Sequence, residues 1–576
     1  MVSSAVSFVT GQVSELRDST IRIGVGAPSI AAVSPEGLAQ ASSRAFLRIP
    51  PFPGAHLGDF AKVPCAAACL FGIAERLREL RVGGAFWAAQ PPVPEDCVLV
   101  RSPLALEQAR HVAGDKPIAL WDCSRGPADE PKLVTIAGEC DPWHLLGKAS
   151  KLIAPDGDEL LLIAALLNVE VYRLDEQGGQ IAPLAIDADE QIAREFGNTA
   201  FGNPFTGEVM SPLEAIELCG FWRRLIDSNR DISQGLGFAF WKQDHVAPLL
   251  WGGAGPVRFI RAEASEASGG AIAVWRARAP AATVAELEQC DSELIEVEDG
   301  FLRSRGLGAD CVPPLSITVD RLAPHFDPSR PSELELLLEN GEFDEPMRAR
   351  ARELRRLVVE AGIGKYGQGR MSLNRPAGDR RHILVPGQVE DDRAVQAGGC
   401  GVNSNLELLR RVRAEAPDAY ILYKPHPDVL AGHRRGLIPE RQCLQYADKI
   451  VYEVPISSLI EMVDEVHVNT SLAGFEALMR LKSVTTYGVP FYAGWGLTRD
   501  LGPVPSRRTR VRSLDELVAA ALILYPRYLD PVTGLPCPAE VVVARLSGGG
   551  EDYPGLVVAM RRLQGKFMRR LRSLVQ

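Results

Sequence analysis

Ile383-Leu384-Val385-Pro386-Gly387-Gln388-Val389-Glu390-Asp391-Asp392 opens the stretch that decides the fold, which runs on to Asp500. Three more clusters of unusual chemistry lie in it: Lys424-Pro425-His426-Pro427-Asp428, Thr470-Ser471-Leu472-Ala473-Gly474-Phe475-Glu476 and Tyr487-Gly488-Val489-Pro490-Phe491-Tyr492-Ala493-Gly494-Trp495-Gly496. Short β-branched or aromatic runs at 383–385, 420–424, 465–468 and 484–487 alternate with helical patterns at 405–415 and 472–481. Strand and helix in alternation predict a parallel sheet. In an open α/β sheet the ligand crevice lies beyond the carboxyl ends of the strands, which is where His426 and Ser471 fall.

At 576 residues the chain is too long for one core and suggests about three or four domain-sized units. Its 46% hydrophobic and 24% charged residues are those of a globular protein, and a net charge of −10 disfavours nucleic acid as a partner. No apolar run approaches the length of a spanning helix; the nearest, 160–167, is cut off by Asn168 and flanked by Asp158-Glu159. No basic region leads into an apolar core and cleavage site at the N-terminus, so the expectation is a cytoplasmic protein. The 11 cysteines are scattered and form no Cys-x-x-Cys pair, which indicates neither a disulfide framework nor a zinc knuckle.

The chain also repeats itself. Asn203-Pro204-Phe205-Thr206-Gly207, followed by Ser211-Pro212, recurs as Asp530-Pro531-Val532-Thr533-Gly534, followed by Cys537-Pro538. Upstream, Ala149-Ser150-Lys151-Leu152-Ile153 and its Leu-rich helix match Val463-Asp464-Glu465-Val466-His467 and the helix after it. Two matches in the same order predict a duplicated module. The copies differ in chemistry: where the second has Asn469-Thr470-Ser471, the first has Pro155-Asp156-Gly157-Asp158, whose acids would repel a phosphate. Glu95-Asp96-Cys97 has two readings, an ordinary polar loop or a vestige of Glu298-Asp299-Gly300.

Glu298-Asp299 ends an apolar strand pattern just before a glycine turn, a place where a general acid or base is held with its pKa tuned by a neighbour. In Lys424-Pro425-His426-Pro427-Asp428 two prolines stiffen a strand end around an imidazole and an ammonium, suited to a phosphate that is bound and released. Thr470-Ser471 starts a helix whose free N–H groups add a second anion contact. Of the three acids Glu390, Asp391 and Asp392, not all can be buried and ionised, so at least one is expected to face the cleft.

These clusters, with Pro313-Pro314-Leu315-Ser316 and Phe326-Asp327-Pro328-Ser329-Arg330-Pro331-Ser332 between them, resemble the bacterial capsule polysaccharide β-Kdo transferases. The resemblance is strong over 256–538 and faint over 46–230. It implies a GT-B-like α/β fold of two Rossmann-type lobes preceded by a degenerate copy of the module. It also implies CMP-β-Kdo as donor, a lipid-linked Kdo acceptor in capsule linker synthesis, and retention at the anomeric carbon.

On that basis Asp392 is the expected nucleophile with Asp391 as fallback, and Glu298 the acid/base. Lys424, a cationic His426, Pro427, Thr470, Ser471 and Glu476 are expected at the CMP site, and Asp299, Arg303, Gln388 and Trp495 at the sugar. No metal or other cofactor is expected. The alternatives are a non-catalytic capsule-assembly scaffold and a transferase using CMP-sialic acid.

The expected organisation is a loose segment 1–45, the degenerate module 46–230, a connector 231–255, a first lobe 256–380, a second lobe 381–545, and a linker and helix 546–576. In that last segment Val557, Met560, Leu563, Phe567, Leu571 and Leu574 recur at helical spacing among six basic residues after Asp552. One reading is a helix lying on an anionic membrane surface, which implies a peripheral protein on the inner face of the cytoplasmic membrane, in contact with other capsule synthesis proteins. The other is a terminal helix docked on its own protein.

Overall fold

The computed structural model describes residues 45–548, apart from 122–131, 175–179, 261–269, 291, 303–311, 433 and scattered positions between 365 and 377. Arg303 and the basic C-terminal segment lie outside the described residues.

The N-terminal part is built on a six-stranded sheet: β1 (Cys97–Val100), β2 (Ile118–Trp121), β3 (Leu133–Ile136), β4 (Ala149–Pro155), β5 (Glu170–Leu174) and β6 (Ile181–Leu184). Its strand order is β3-β2-β1-β4-β5-β6, parallel except for the β5–β6 pair. The Leu-rich helix α1 (Leu160–Leu167) follows β4, and the long helix α2 (Pro212–Asp227), started by a Ser211/Glu214 capping box, ends the unit.

The second sheet begins at once, with β7 (Ile232–Leu236), helix α3 (Phe240–Leu250), β8 (Arg258–Ile260), β9 (Ala271–Val274), β10 (Leu294–Asp299) and β11 (Ser316–Asp320). β8, β7, β9 and β10 are parallel neighbours, and β11 is antiparallel to β10. The segment expected as a connector therefore supplies an interior strand of this lobe. Ile232-Ser233-Gln234-Gly235-Leu236 is short and weakly apolar, and it reads as a strand only once β8 and β9 flank it.

The third sheet comprises β12 (His382–Pro386), β13 (Tyr420–Lys424), β14 (Lys449–Ile450), β15 (Glu465–Val468), β16 (Ser483–Thr486) and β17 (Arg499–Asp500). It is parallel throughout, in the order β14-β13-β12-β15-β16-β17. The continuous apolar run of β12 is buried on both faces, as a covered parallel sheet requires. Its helices include α4 (Arg393–Gly398), α5 (Pro427–Leu430) and α6 (Leu472–Met479). The chain then returns to the second sheet with β18 (Pro526–Leu529) and β19 (Pro536–Cys537), the former antiparallel to β11, before α7 (Ala539–Ser547). Two Rossmann-type lobes joined by a returning C-terminal segment make the two-lobed α/β fold that the resemblance implied.

The first and third sheets share one strand order, the 3-2-1-4-5-6 of a dinucleotide-type half. The duplicated turns agree atom for atom. Asn203 Oδ1 accepts from the N–H groups of Phe205 and Thr206, and the Asp530 carboxylate from those of Val532 and Thr533; Gly207 and Gly534 close the turns at φ 75° and 71°. The N-terminal sheet with its closing turn thus repeats the strand order and closing turn that accompany the third sheet. The proposed vestige at Glu95-Asp96 does not hold: Asp96 precedes β1, whereas Glu298-Asp299 ends β10, so the two sit at opposite ends of non-equivalent strands. The copy is packed hard against the module, with the buried Trp222 indole N–H donating to the Pro536 carbonyl at 2.8 Å and Arg545 to the Phe205 carbonyl at 2.8 Å.

Candidate active site

The strand order of the third sheet reverses between β12 and β15, and the crevice beyond their carboxyl ends is the default ligand position. Gln388, two residues past β12, spans it. Its amide donates to Thr470 Oγ1 at 2.9 Å and accepts from the Thr470 N–H at 3.0 Å, so it holds the start of α6 in place. Ser471 caps α6, with Oγ accepting from the Ala473 N–H at 3.2 Å, and its carbonyl accepts from the Tyr492 hydroxyl. Gly474 lets that phenol approach, because a Cβ there would lie 2.2 Å from the Tyr492 oxygen.

Above this crevice and facing the first lobe opens a cleft of about 580 Å³, lined from both lobes. Among the expected site residues, Glu298, Asp299, Gln388, Asp392, Lys424, His426, Pro427, Thr470, Ser471 and Glu476 line it. Its apolar floor includes Phe301, tilted by 31° against Phe491 with centroids 4.7 Å apart and edge-on to His325 at 4.9 Å.

The three consecutive acids divide their work. Glu390 accepts from the Asn405 N–H at 2.9 Å and is structural; Asp391 faces Arg434 across 3.3 Å and does not line the cleft; Asp392 lines it. Asp392 stands at the N-cap of α4 without a side-chain capping bond, and it is solvent-exposed at the cleft edge. Trp495, expected at the sugar, is fully buried, with its indole N–H bonded to the Phe491 carbonyl at 2.8 Å. The tight turns around it make it a core residue, which corrects that expectation.

His426 also differs from expectation. It caps α5, and the Asp428 N–H donates to its Nδ1 at 3.2 Å. A backbone N–H can only donate, so Nδ1 is unprotonated and the neutral ring carries its proton on Nε2. Nε2 is thereby left to donate, and Lys424 and Arg434 are cationic side chains at the cleft. Lys424 bonds the Tyr452 carbonyl at 3.1 Å, and burial pushes its pKa down.

The residue missed in the sequence is Arg393. It reaches from α4 of the second lobe to Glu298 at 2.6 Å and Glu296 at 3.6 Å on β10 of the first, over the ring of Phe326 at 5.1 Å. A basic residue after two acids reads as surface, and nothing local reveals that its partners lie 95 residues upstream. Burial pushes the Glu298 carboxyl up to about 7; Arg393 opposes the rise, and the negative charges of Asp299 and Glu296 add to it. A carboxyl poised there accepts a proton near neutrality. Gly300 is required beside it, since a Cβ would sit 2.3 Å from Ser316 Oγ. Among the described residues no group of three or more His, Cys, Asp or Glu side chains converges as a metal site would.

The capsule polysaccharide biosynthesis protein family matches residues 270–361 and 368–528, which covers most of both lobes. The Neisseria meningitidis capsule polysaccharide modification protein LipA is 41% identical over 336 residues, 58% of this chain and 47% of that protein. The Rhizobium meliloti lipopolysaccharide-processing protein LpsZ is 47% identical over 262 residues, 44% of this chain and 58% of that one. The chain thus spans about half the length of the curated relatives it matches. Two solved chains of Thermosulfurimonas dismutans KpsC are similar over 55% of this chain and 98% of their own. The β-Kdo 2,7 transferase is 33% identical with a TM-score of 0.44, and the β-Kdo 2,4 transferase 31% identical with 0.49. The match to the capsule polysaccharide biosynthesis family thus runs through both lobes, and the chain is similar to these capsule and lipopolysaccharide proteins at identities of 31% to 47%.

Proposed function

We propose that the chain transfers Kdo from CMP-β-Kdo to a Kdo-bearing glycolipid acceptor, with retention, in making the capsule linker. The observation that carries this reading is the pairing of two carboxylates, Asp392 from the second lobe and Glu298 from the first, in one cleft beside the N-terminus of α6. Retention by two displacements needs one carboxylate as nucleophile and a second group to assist the acceptor. In the first step Asp392 attacks the anomeric carbon and CMP departs. Its phosphate is met by Lys424, His426 Nε2–H and the Ser471 end of α6, with no need of a metal. In the second step the acceptor hydroxyl attacks the ester, Glu298 takes its proton, and Asp392 regains its electron pair. The relatives' printed β-Kdo transferase activities support the donor sugar.

Intact-mass analysis of the protein mixed with CMP-Kdo is expected to show a Kdo adduct mapping to Asp392. Asp392→Asn is expected to bind CMP but form no adduct. An adduct outside 390–392, or full transfer by Asp392→Asn, overturns the assignment. CMP-sialic acid serves as the competing donor, and a preference for it overturns the choice of Kdo. If no CMP-sugar is used by a protein that folds and holds its partners, the scaffold reading replaces this one. Among the described residues no helix is long and apolar enough to cross a membrane; the basic segment after residue 552 is the proposed contact with an anionic membrane surface, a terminal helix docked on its own protein being the other reading.

A further inference from the structure

Lys242, on α3, lies outside the family match, and its surroundings are not those of a surface lysine. Its side chain is 7% exposed, with Nζ 3.0 Å from Asp299 Oδ1, 3.4 Å from the centre of the Trp275 ring and 5.3 Å from that of Trp241. The turn from β7 into α3 is pressed against the same loop. Gly237 adopts φ 82°, and a Cβ there would come within 2.5 Å of the Trp275 carbonyl oxygen. A buried ammonium is costly unless its charge is met. Here the Asp299 carboxylate and the electron-rich face of Trp275 meet it.

Asp299 shares its strand end with Glu298, and both line the cleft. Adjacent carboxyls in one desolvated site do not ionise independently, so their surroundings decide which one holds the proton. Among the described residues, the charged groups acting on Glu298 are Arg393 from α4, Glu296 on its own strand, Asp299, and Lys242 from α3; Glu296 is in turn bonded to Arg276. Arg393 is bonded to Glu298 itself, whereas Lys242 is bonded to Asp299.

We propose that Lys242 is the positioning residue that fixes Asp299 as the permanently ionised member of the pair, leaving Glu298 to exchange the proton of the acceptor hydroxyl. This rests on the reading of Glu298 as the base. Lys242 is not among the residues that line the cleft; it holds the Asp299 charge that raises the proton affinity of Glu298, and its own more distant positive charge lowers that affinity by less.

The test is carboxyl ¹³C NMR of protein labelled at aspartate and glutamate, with the two lines assigned by their loss in Asp299→Asn and Glu298→Gln. In the wild type Glu298 titrates near neutrality and Asp299 does not. In Lys242→Met, which keeps the stem over Trp275 but removes the charge, the Asp299 midpoint rises by at least about one unit, a tenfold change in proton affinity. The rising limb of the kcat/KM–pH profile then steepens from one proton toward two. Adding Lys242→Met to Asp299→Asn leaves that limb a single-proton one.

An Asp299 midpoint unmoved in Lys242→Met overturns the proposal, whatever happens to thermal stability. Lys242→Gln gives the same reading if the methionine variant does not fold. Because the titration needs no transfer, a protein inactive with CMP-Kdo refutes the function proposed above without deciding this experiment.

Discussion

Replacing Arg393 by methionine is expected to convert an enzyme working at neutral pH into one that needs alkali. The guanidinium makes a charge-assisted bond of 2.6 Å to Glu298, which is 18% exposed, and it is the largest influence opposing burial there. A hydrogen bond to a charged group is worth about 1.5–3 kcal/mol, and each pKa unit about 1.36 kcal/mol, so its loss raises the Glu298 carboxyl by about one to two units. The sign follows from the base's role. Glu298 acts ionised, so activity is held above its folded pKa and lost as pH falls through it. With the wild-type carboxyl at about 7, half is ionised at that pH. A rise of about one to two units leaves roughly a tenth to a hundredth, a fall of about five- to fiftyfold in kcat/KM. The assay is transfer to a soluble Kdo-terminated acceptor across the pH range, with CMP affinity measured in parallel. Activity is expected to recover at high pH, with CMP binding preserved. A limb that stays at the wild-type pH, or a deficit constant at every pH, refutes the reasoning, because Arg393 would then serve only to hold the lobes.

His426→Ala and Ser471→Ala are each expected to weaken CMP by about 1.5–3 kcal/mol, roughly ten- to a hundredfold, by calorimetry. Unchanged affinity in both removes the donor site from α6. In the N-terminal copy, Asp156 is exposed, whereas Asp158 is bonded to Arg101 at 3.0 Å and to the Leu160 N–H at 2.9 Å. Asp156→Ala is therefore expected to be silent. Asp158→Ala is expected to lower the melting temperature without altering kcat/KM, and lost turnover in a folded Asp158→Ala would mean that the copy takes part in catalysis. Deleting residues 553–576 is expected to release the protein from anionic vesicles while sparing transfer to a soluble acceptor; continued flotation of the truncated chain assigns that segment a structural role.

Much of the second lobe was legible before any coordinates, because its signals are local. β-Branched runs, helix caps and proline-stiffened strand ends act within a few residues, so Lys424, His426 and Ser471 stood out by their neighbours, whereas the roles of Asp392 and of Glu298 in the first lobe came from the resemblance. The duplication was legible for the same reason, since an Asx turn closed by a left-handed glycine is written in five consecutive residues. What only the tertiary structure decided involves partners far apart in the chain. Arg393 meets Glu298, Lys242 meets Asp299 beneath Trp275, and the weakly apolar strand Ile232–Leu236 enters a sheet only when its neighbours flank it. Trp495 was expected at the sugar from the resemblance, yet its ring is fully buried, with its indole N–H held by the Phe491 carbonyl. Burial and long-range charge set which acid holds a proton and which aromatic meets the ligand. Both depend on what lies across the cleft, which no window of sequence contains.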